Sequence, residues 1–327
     1  MKVEDQIKSF VAIYEQLRKK YRWRANNQSL IMIAGQLAAH EKPFQLNEFI
    51  RLVDFIKDES SAFSYVQSTD LRFMLAGLLW AEYEDPQSAY PDMMQIYEKL
   101  IEGGFKRSPH AYIAAYALFS SLKDGDDADA HVERSINMYK GIKEKHFFLT
   151  SHEDYPLSVL LAEEEGEQEE LLDDMSYYYD QLHIVLAKGN NRQFLSQILT
   201  YGRQDNRQLL VQNTVTWLDD LRQNKMKLRG NHLPVVGVLA LAGRPSDLLP
   251  DVKDVFETLV SHKQFKWHRD LCFMVAVRFV VQKQAEENRF LDVGLATTIE
   301  SILQAQQAAT FAAISASAAA AASSSSD

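Results

Sequence analysis

The sequence predicts an all-helical protein, built as about seven helical hairpins of ~40 residues each. The hairpins are expected to wind into a tight α/α superhelix, with a closed α/α toroid as the alternative. Three observations predict this. Apolar residues recur at spacings of three and four, with almost no strand-like alternation. The aromatics Tyr14, Phe55, Tyr97, Tyr139, Tyr179, Trp217 and Phe256 follow one another at 41, 42, 42, 40, 38 and 39 residues. Each is followed 15 or 16 residues later by an apolar anchor: Leu30, Leu71, Tyr112, Tyr155, Phe194, Leu233 and Leu271.

The elements follow in order. Val3, Ile7, Phe10, Val11, Tyr14 and Leu17 form one helical face, with Glu4, Asp5, Lys8, Glu15 and Gln16 opposite, so the first helix is amphipathic. Most first helices repeat this, with a Leu or Ile three or four past the aromatic: Leu17, Leu100, Ile142, Leu182, Leu221 and Leu259. Second helices differ. "LIMIAGQLAA", "LRFMLAGLLW", "AYIAAYALF", "YPLSVLLA", "LPVVGVLALAG" and "LCFMVAVRFVV" are apolar nearly all round, so they should be buried on every side as an inner layer. Gly35, Gly77, Ala114, Ala115, Ser158 and Gly237 would let these helices approach closely.

Between the two helices of most hairpins an apolar plug is expected: Phe63, Phe105, Phe148, Met226 or Leu228, and Phe265. The fifth copy, "AKGNNRQF", has none. Asn47 is expected to cap the helix that follows it, and Ser108 to cap one with Pro109 at its first position. Gly103-Gly104 should end a helix, and Pro245 and Pro250 should mark a break and a restart. A last helix is expected after Phe290. Residues 1–304 then form one repeat domain, and 305–327 an Ala/Ser-rich low-complexity tail.

Apolar content of 46% and charged content of 24% fit a soluble globular chain, and a net charge of −10 disfavours nucleic acid as partner. A single cysteine, Cys272, lies in an apolar run, which excludes an internal disulfide and reads as a buried, inert thiol. The N-terminus lacks a signal-peptide hydrophobic region, and the apolar runs are too short to span a bilayer, so the expected location is cytoplasmic.

The segments "FVAIYEQLRKKYRWRANNQSLIMIA" and "IYEKLIEGGFKRSPHAYIAAYAL", with the Ala/Ser ending, resemble a family of bacterial proteins found in bacilli and their relatives. That family is classed as domain of unknown function 4003, and the similarity covers the whole chain. It implies a bacterial, cytoplasmic protein and carries over no catalytic or binding residue.

No phosphate loop, dinucleotide fingerprint, nucleophile elbow or zinc pair occurs. His146/His152 and His262/His268 are each six apart, a spacing unsuited to one helix face or to a usual zinc pair. "KDGDDADAHVE" departs from a calcium loop at Gly125 and Ala128. No catalytic residue, metal or cofactor is therefore expected. Ionisable residues in the inner helices are nearly confined to Arg72 and Arg278, which weakens an enzyme reading. The alternative, a toroid enzyme acting on a small molecule, would draw on His152, Glu153 and Asp154. A receptor for a peptide or lipid chain is a third reading.

One pattern stands out. Turns inside hairpins sum to a charge of +13, while loops between hairpins sum to −17. Stacked hairpins put all turns of one kind on one edge, so one edge should be basic and the other acidic. Helix dipoles do not explain the split, because both kinds of loop end one helix and begin another. The expected partner-binding set is Arg18, Lys19, Lys20, Tyr21, Arg22, Trp23, Arg24, Lys225, Lys227, Arg229, Lys263, Lys266, Trp267 and Arg269. The sequence thus favours a non-enzymatic scaffold whose basic edge binds an acidic protein surface or the acidic edge of a second copy.

Overall fold

A computed structural model describes residues 2–40, 42–202, 207–226, 233–286 and 302–303. Among these residues the regular structure is entirely helical, in fourteen α-helices and three short 3₁₀ turns. The helices pair as seven antiparallel hairpins: α1 (Val3–Tyr21) with α2 (Asn27–Ala39), α3 (Leu46–Asp58) with α4 (Thr69–Glu82), and α5 (Pro86–Glu102) with α6 (Pro109–Ser121). Then come α7 (Ala128–Lys145) with α8 (Tyr155–Glu163), α9 (Gln168–Gln181) with α10 (Asn190–Thr200), α11 (Arg207–Gln223) with α12 (Leu233–Ala242), and α13 (Pro245–Ser261) with α14 (Arg269–Glu286). The seven periodic aromatics fall on the odd-numbered helices and their anchors on the even-numbered ones.

Sequence character separates the layers. Every residue of α2 from Ser29 to Ala39 is buried, as is every residue of α4 from Leu71 to Trp80. The odd helices bury one face only; α1 covers Phe10, Ile13, Tyr14 and Leu17 and exposes its charged side. Even helices touch even neighbours in succession, and α14 lies against α2 and α1. Among the described residues the helices therefore close into a ring whose inner wall is the even helices, with α14 against the first hairpin, rather than continuing as an open superhelix. At this seam Gln6 reaches Gln282 at 3.4 Å, Asn27 meets His268 at 2.9 Å, and a Cβ on Gly35 would meet Val275 Cγ2 at 2.7 Å. Gly237 is equally close to Ile198 and Leu195 between α12 and α10.

The two buried phenylalanine plugs, Phe105 and Phe265, pack alike. Phe105, in the turn of the third hairpin, stacks on Tyr155 at 3.8 Å and meets Tyr139 edge-on at 5.5 Å, both in the fourth. Phe265, in the seventh turn, meets Phe10 at 4.7 Å and Tyr14 at 4.8 Å, both in the first. The first hairpin thus occupies, for the seventh, the place that the fourth occupies for the third. Met226 is buried as expected. Phe63 and Phe148 are not plugs: they stand 101% and 95% exposed, and Val66 fills the second turn instead. Leu228, the expected helix after Phe290 apart from Ile302 and Leu303, and the Ala/Ser tail lie outside the described residues.

Local signals mostly act as expected. Ser108 accepts from the Ala111 N–H at 3.2 Å ahead of Pro109, and Gly104 ends α5 with φ +120. Asn47 does not cap α3, which begins a residue earlier behind Gln45. Pro250 does not restart a helix; it lies inside α13, which starts at Pro245, as Pro91 lies inside α5, which starts at Pro86. Each is the sixth residue of its helix, so it forgoes a single bond to the carbonyl four residues back, and Pro245 and Pro86 hold the favoured first position.

Candidate functional site

Because each hairpin rises on an odd helix and returns on an even one, all seven inner turns lie on one face of the ring. The links between hairpins lie on the other. Ring closure makes the seventh and first turns neighbours on that turn face, through Asn27–His268 and Phe265–Tyr14. The sequence places charges of +2 and +5 on these two turns.

Arg18, Lys19, Lys20, Arg22, Trp23 and Arg24 are exposed on the first turn, and Lys263, Lys266, Trp267 and Arg269 on the seventh. Lys225, on the sixth, is exposed with φ 56, a left-handed turn conformation. Among the described residues none of these cations has a carboxylate within ion-pair distance. Three cations elsewhere stitch neighbouring hairpins, Lys99 to Asp129, Lys145 to Glu169 and Asp173, and Arg207 to Asp174, while Lys8, Arg51, Arg107, Arg222 and Lys283 pair within their own helix or hairpin. Tyr21 departs from the expected set. It is buried edge-on against Phe73 at 4.5 Å, because it continues the apolar stripe of α1. Lys227 and Arg229 lie outside the described residues.

The exposed indoles are substantial: Trp23 is 85% and Trp267 84% exposed. Arg22 lies 4.9 Å from the Trp23 ring and Lys266 5.2 Å from the Trp267 ring, within cation–π range. Sequence reasoning missed the aromatics that share this face. Phe63, Tyr65, Phe147, Phe148 and Ile184 are also exposed on turns, so every large apolar side chain exposed among the described residues, apart from Leu209, is on the turn face.

The loop acids and histidines do something else. Asp154 is fully buried at the start of α8. It accepts from the Ser151 N–H at 2.7 Å, from Gln193 Nε2 at 2.6 Å and from Gln197 Nε2 at 2.9 Å. Burial outweighs these donors and pushes its carboxyl up to about 6. The site ties the fourth turn to α10, and no substrate reaches a carboxyl with no exposed surface. His110 is pushed down to about 4 by burial and by His152, which stacks on Tyr155 at 5.4 Å. Burial also lowers His146 and His268, which pack on Tyr179 and Asn27. Gln193 and Gln197 were legible only as an i,i+4 polar pair on the one second helix that lacks an apolar run. Among the described residues no three His, Cys, Asp or Glu side chains converge as metal ligands. Cys272 is buried, its thiol pushed up to about 12 by desolvation, so it is not a nucleophile.

No solved structure matches the chain. "Uncharacterized protein YeaA" of Bacillus subtilis (strain 168) is 27% identical to it over 318 residues, covering 95% of this chain and 94% of that protein. Residues 13–308 match the model of the family described as "Protein of unknown function (DUF4003)", and the chain belongs to that family.

Proposed function

We propose that this chain is a non-enzymatic interaction protein whose working surface is the turn face, and that its partner is negatively charged. One observation carries the reading: the first and seventh turns, joined through Asn27 and His268 across 241 residues, each carry exposed cations with no carboxylate partner among the described residues, and each carries an exposed indole. Exposed charge left unneutralised steers an oppositely charged surface and gains when that surface covers it. An acidic face on a second copy would satisfy the same chemistry. The toroid-enzyme reading is weakened because Asp154, its best-placed acid, is sealed by Gln193 and Gln197.

The test compares the wild type with a variant in which Arg18, Lys19, Lys20, Arg22 and Arg24 are Ser, as baits in nuclease-treated native lysate. Capture at low salt, release by salt and loss with the variant are expected. A partner held equally by both baits, or none with either, would sink the proposal.

A further inference from the structure

We infer that the negatively charged partner is an anionic bilayer surface, on which the turn face docks with its aromatic tips in the headgroup layer; this rests on the turn face being the working surface. The apolar tips decide between a lipid and a protein partner. They are not gathered into one patch. Trp23, Phe63 with Tyr65, Phe148 with Phe147, Ile184 and Trp267 stand on five different turns around the ring. A protein interface concentrates its energy in a contiguous, desolvated core, whereas scattered tips on a common face can all enter a flat, deformable layer together.

The chemistry beside the tips agrees. Trp23 has Arg22, Trp267 has Lys266, and Phe147 has Lys143 at 5.9 Å from its ring. An aromatic ring at headgroup depth with a cation at its rim is the pairing that interfacial anchors use. The opposite face, whose loops sum to −17, would be repelled by an anionic surface, so only one orientation is favoured. Among the described residues no helix is long and apolar enough to cross a membrane, so docking relies on tips and charge.

The protein itself reports the event. Of its four tryptophans, Trp80 and Trp217 are buried in the ring, so a change in emission on docking comes from Trp23 and Trp267. The full chain is titrated with vesicles of phosphatidylcholine alone or mixed with phosphatidylglycerol, and binding is read by co-sedimentation. Brominated acyl chains serve as quenchers. Expected are binding only to the anionic vesicles, a blue shift with quenching, and loss of about fivefold in affinity for each cation of the first turn removed. The Trp23→Ser/Trp267→Ser and Phe63→Ser/Phe148→Ser double variants should both sediment at least tenfold more weakly while melting as the wild type does. Binding without quenching, and unchanged by either double variant, would overturn docking through the tips. If the anionic vesicles are not bound while immobilised polyglutamate is bound and released by salt, the lipid inference fails and the charged-face proposal stands. If neither is bound, both fail.

Discussion

Replacing Asp154 with Asn should remove a pH-dependent loss of stability built into the junction of the fourth and fifth hairpins. The folded carboxyl titrates at about 6 against an ordinary 3.8, so the folded state binds the proton more tightly than the unfolded chain. Between those values the folded state holds more protons, and stability falls as pH rises. A displacement of about 2 pKa units corresponds to about 3 kcal/mol, most of it lost between pH 4 and pH 7. Asn is a close mimic of the neutral acid. Its oxygen can take the Ser151 N–H, and its N–H₂ can donate to the Oε1 atoms of Gln193 and Gln197, which are buried without partners, once those two amides turn end for end. Guanidinium unfolding of wild type and D154N across pH 4 to 7.5 is the assay. The difference between the two proteins removes other titrations. Chief among these is His110, whose depressed value gives the opposite slope, with stability gained as pH rises from about 4 toward 6.5. The variant should gain about 3 kcal/mol on the wild type across the window. Parallel curves would refute the claim that a buried, proton-favouring carboxyl holds this junction.

Two further predictions concern the ring. Gly35→Leu puts a side chain where even a Cβ comes within 2.7 Å of Val275, so it should cost about 1–3 kcal/mol and loosen the seam; a melting temperature equal to the wild type's would contradict closure at that point. Phe105→Ala should cost about 3–5 kcal/mol, because it empties the stack on Tyr155, whereas Phe148→Ala should stay within about 0.5 kcal/mol. Denaturation of the pair showing similar losses would mean that Phe148 is covered in solution.

Periodicity exposed the hairpins because the two layers impose different burdens. An odd helix buries one stripe and keeps charges opposite, while an even helix is surrounded and tolerates few polar residues, so Tyr14 and Leu30 mark their layers before any coordinates exist. Closure was not legible in the same way. It depends on the small rotation from one hairpin to the next, summed seven times, and no local pattern records that sum. The turns were half legible. Phe105 and Phe148 occupy like places in the string, yet one is buried and the other is not, since a turn aromatic can point inward or outward without changing helical spacing. Charge segregation was legible because it needs only the order of loops. The meeting of the turns that carry Trp23 and Trp267 was not, because it exists only through closure. Asp154 looked like a loop acid because its partners lie about 40 residues away on α10.

Closure also orders assembly in time. Contacts between successive hairpins span short loops, as Tyr201 to Leu157 spans 44 residues, and each can form as soon as its two hairpins exist. The join between Asn27 and His268 spans 241 residues. Loop entropy makes that one interface about 1.5 kcal/mol harder to form than any other, if it formed first. It instead forms once the arc between its ends is already built, when little entropy remains to be lost. On this reasoning the first and last hairpins meet at the end of folding, and the turns that carry Trp23 and Trp267 come together only in the finished molecule.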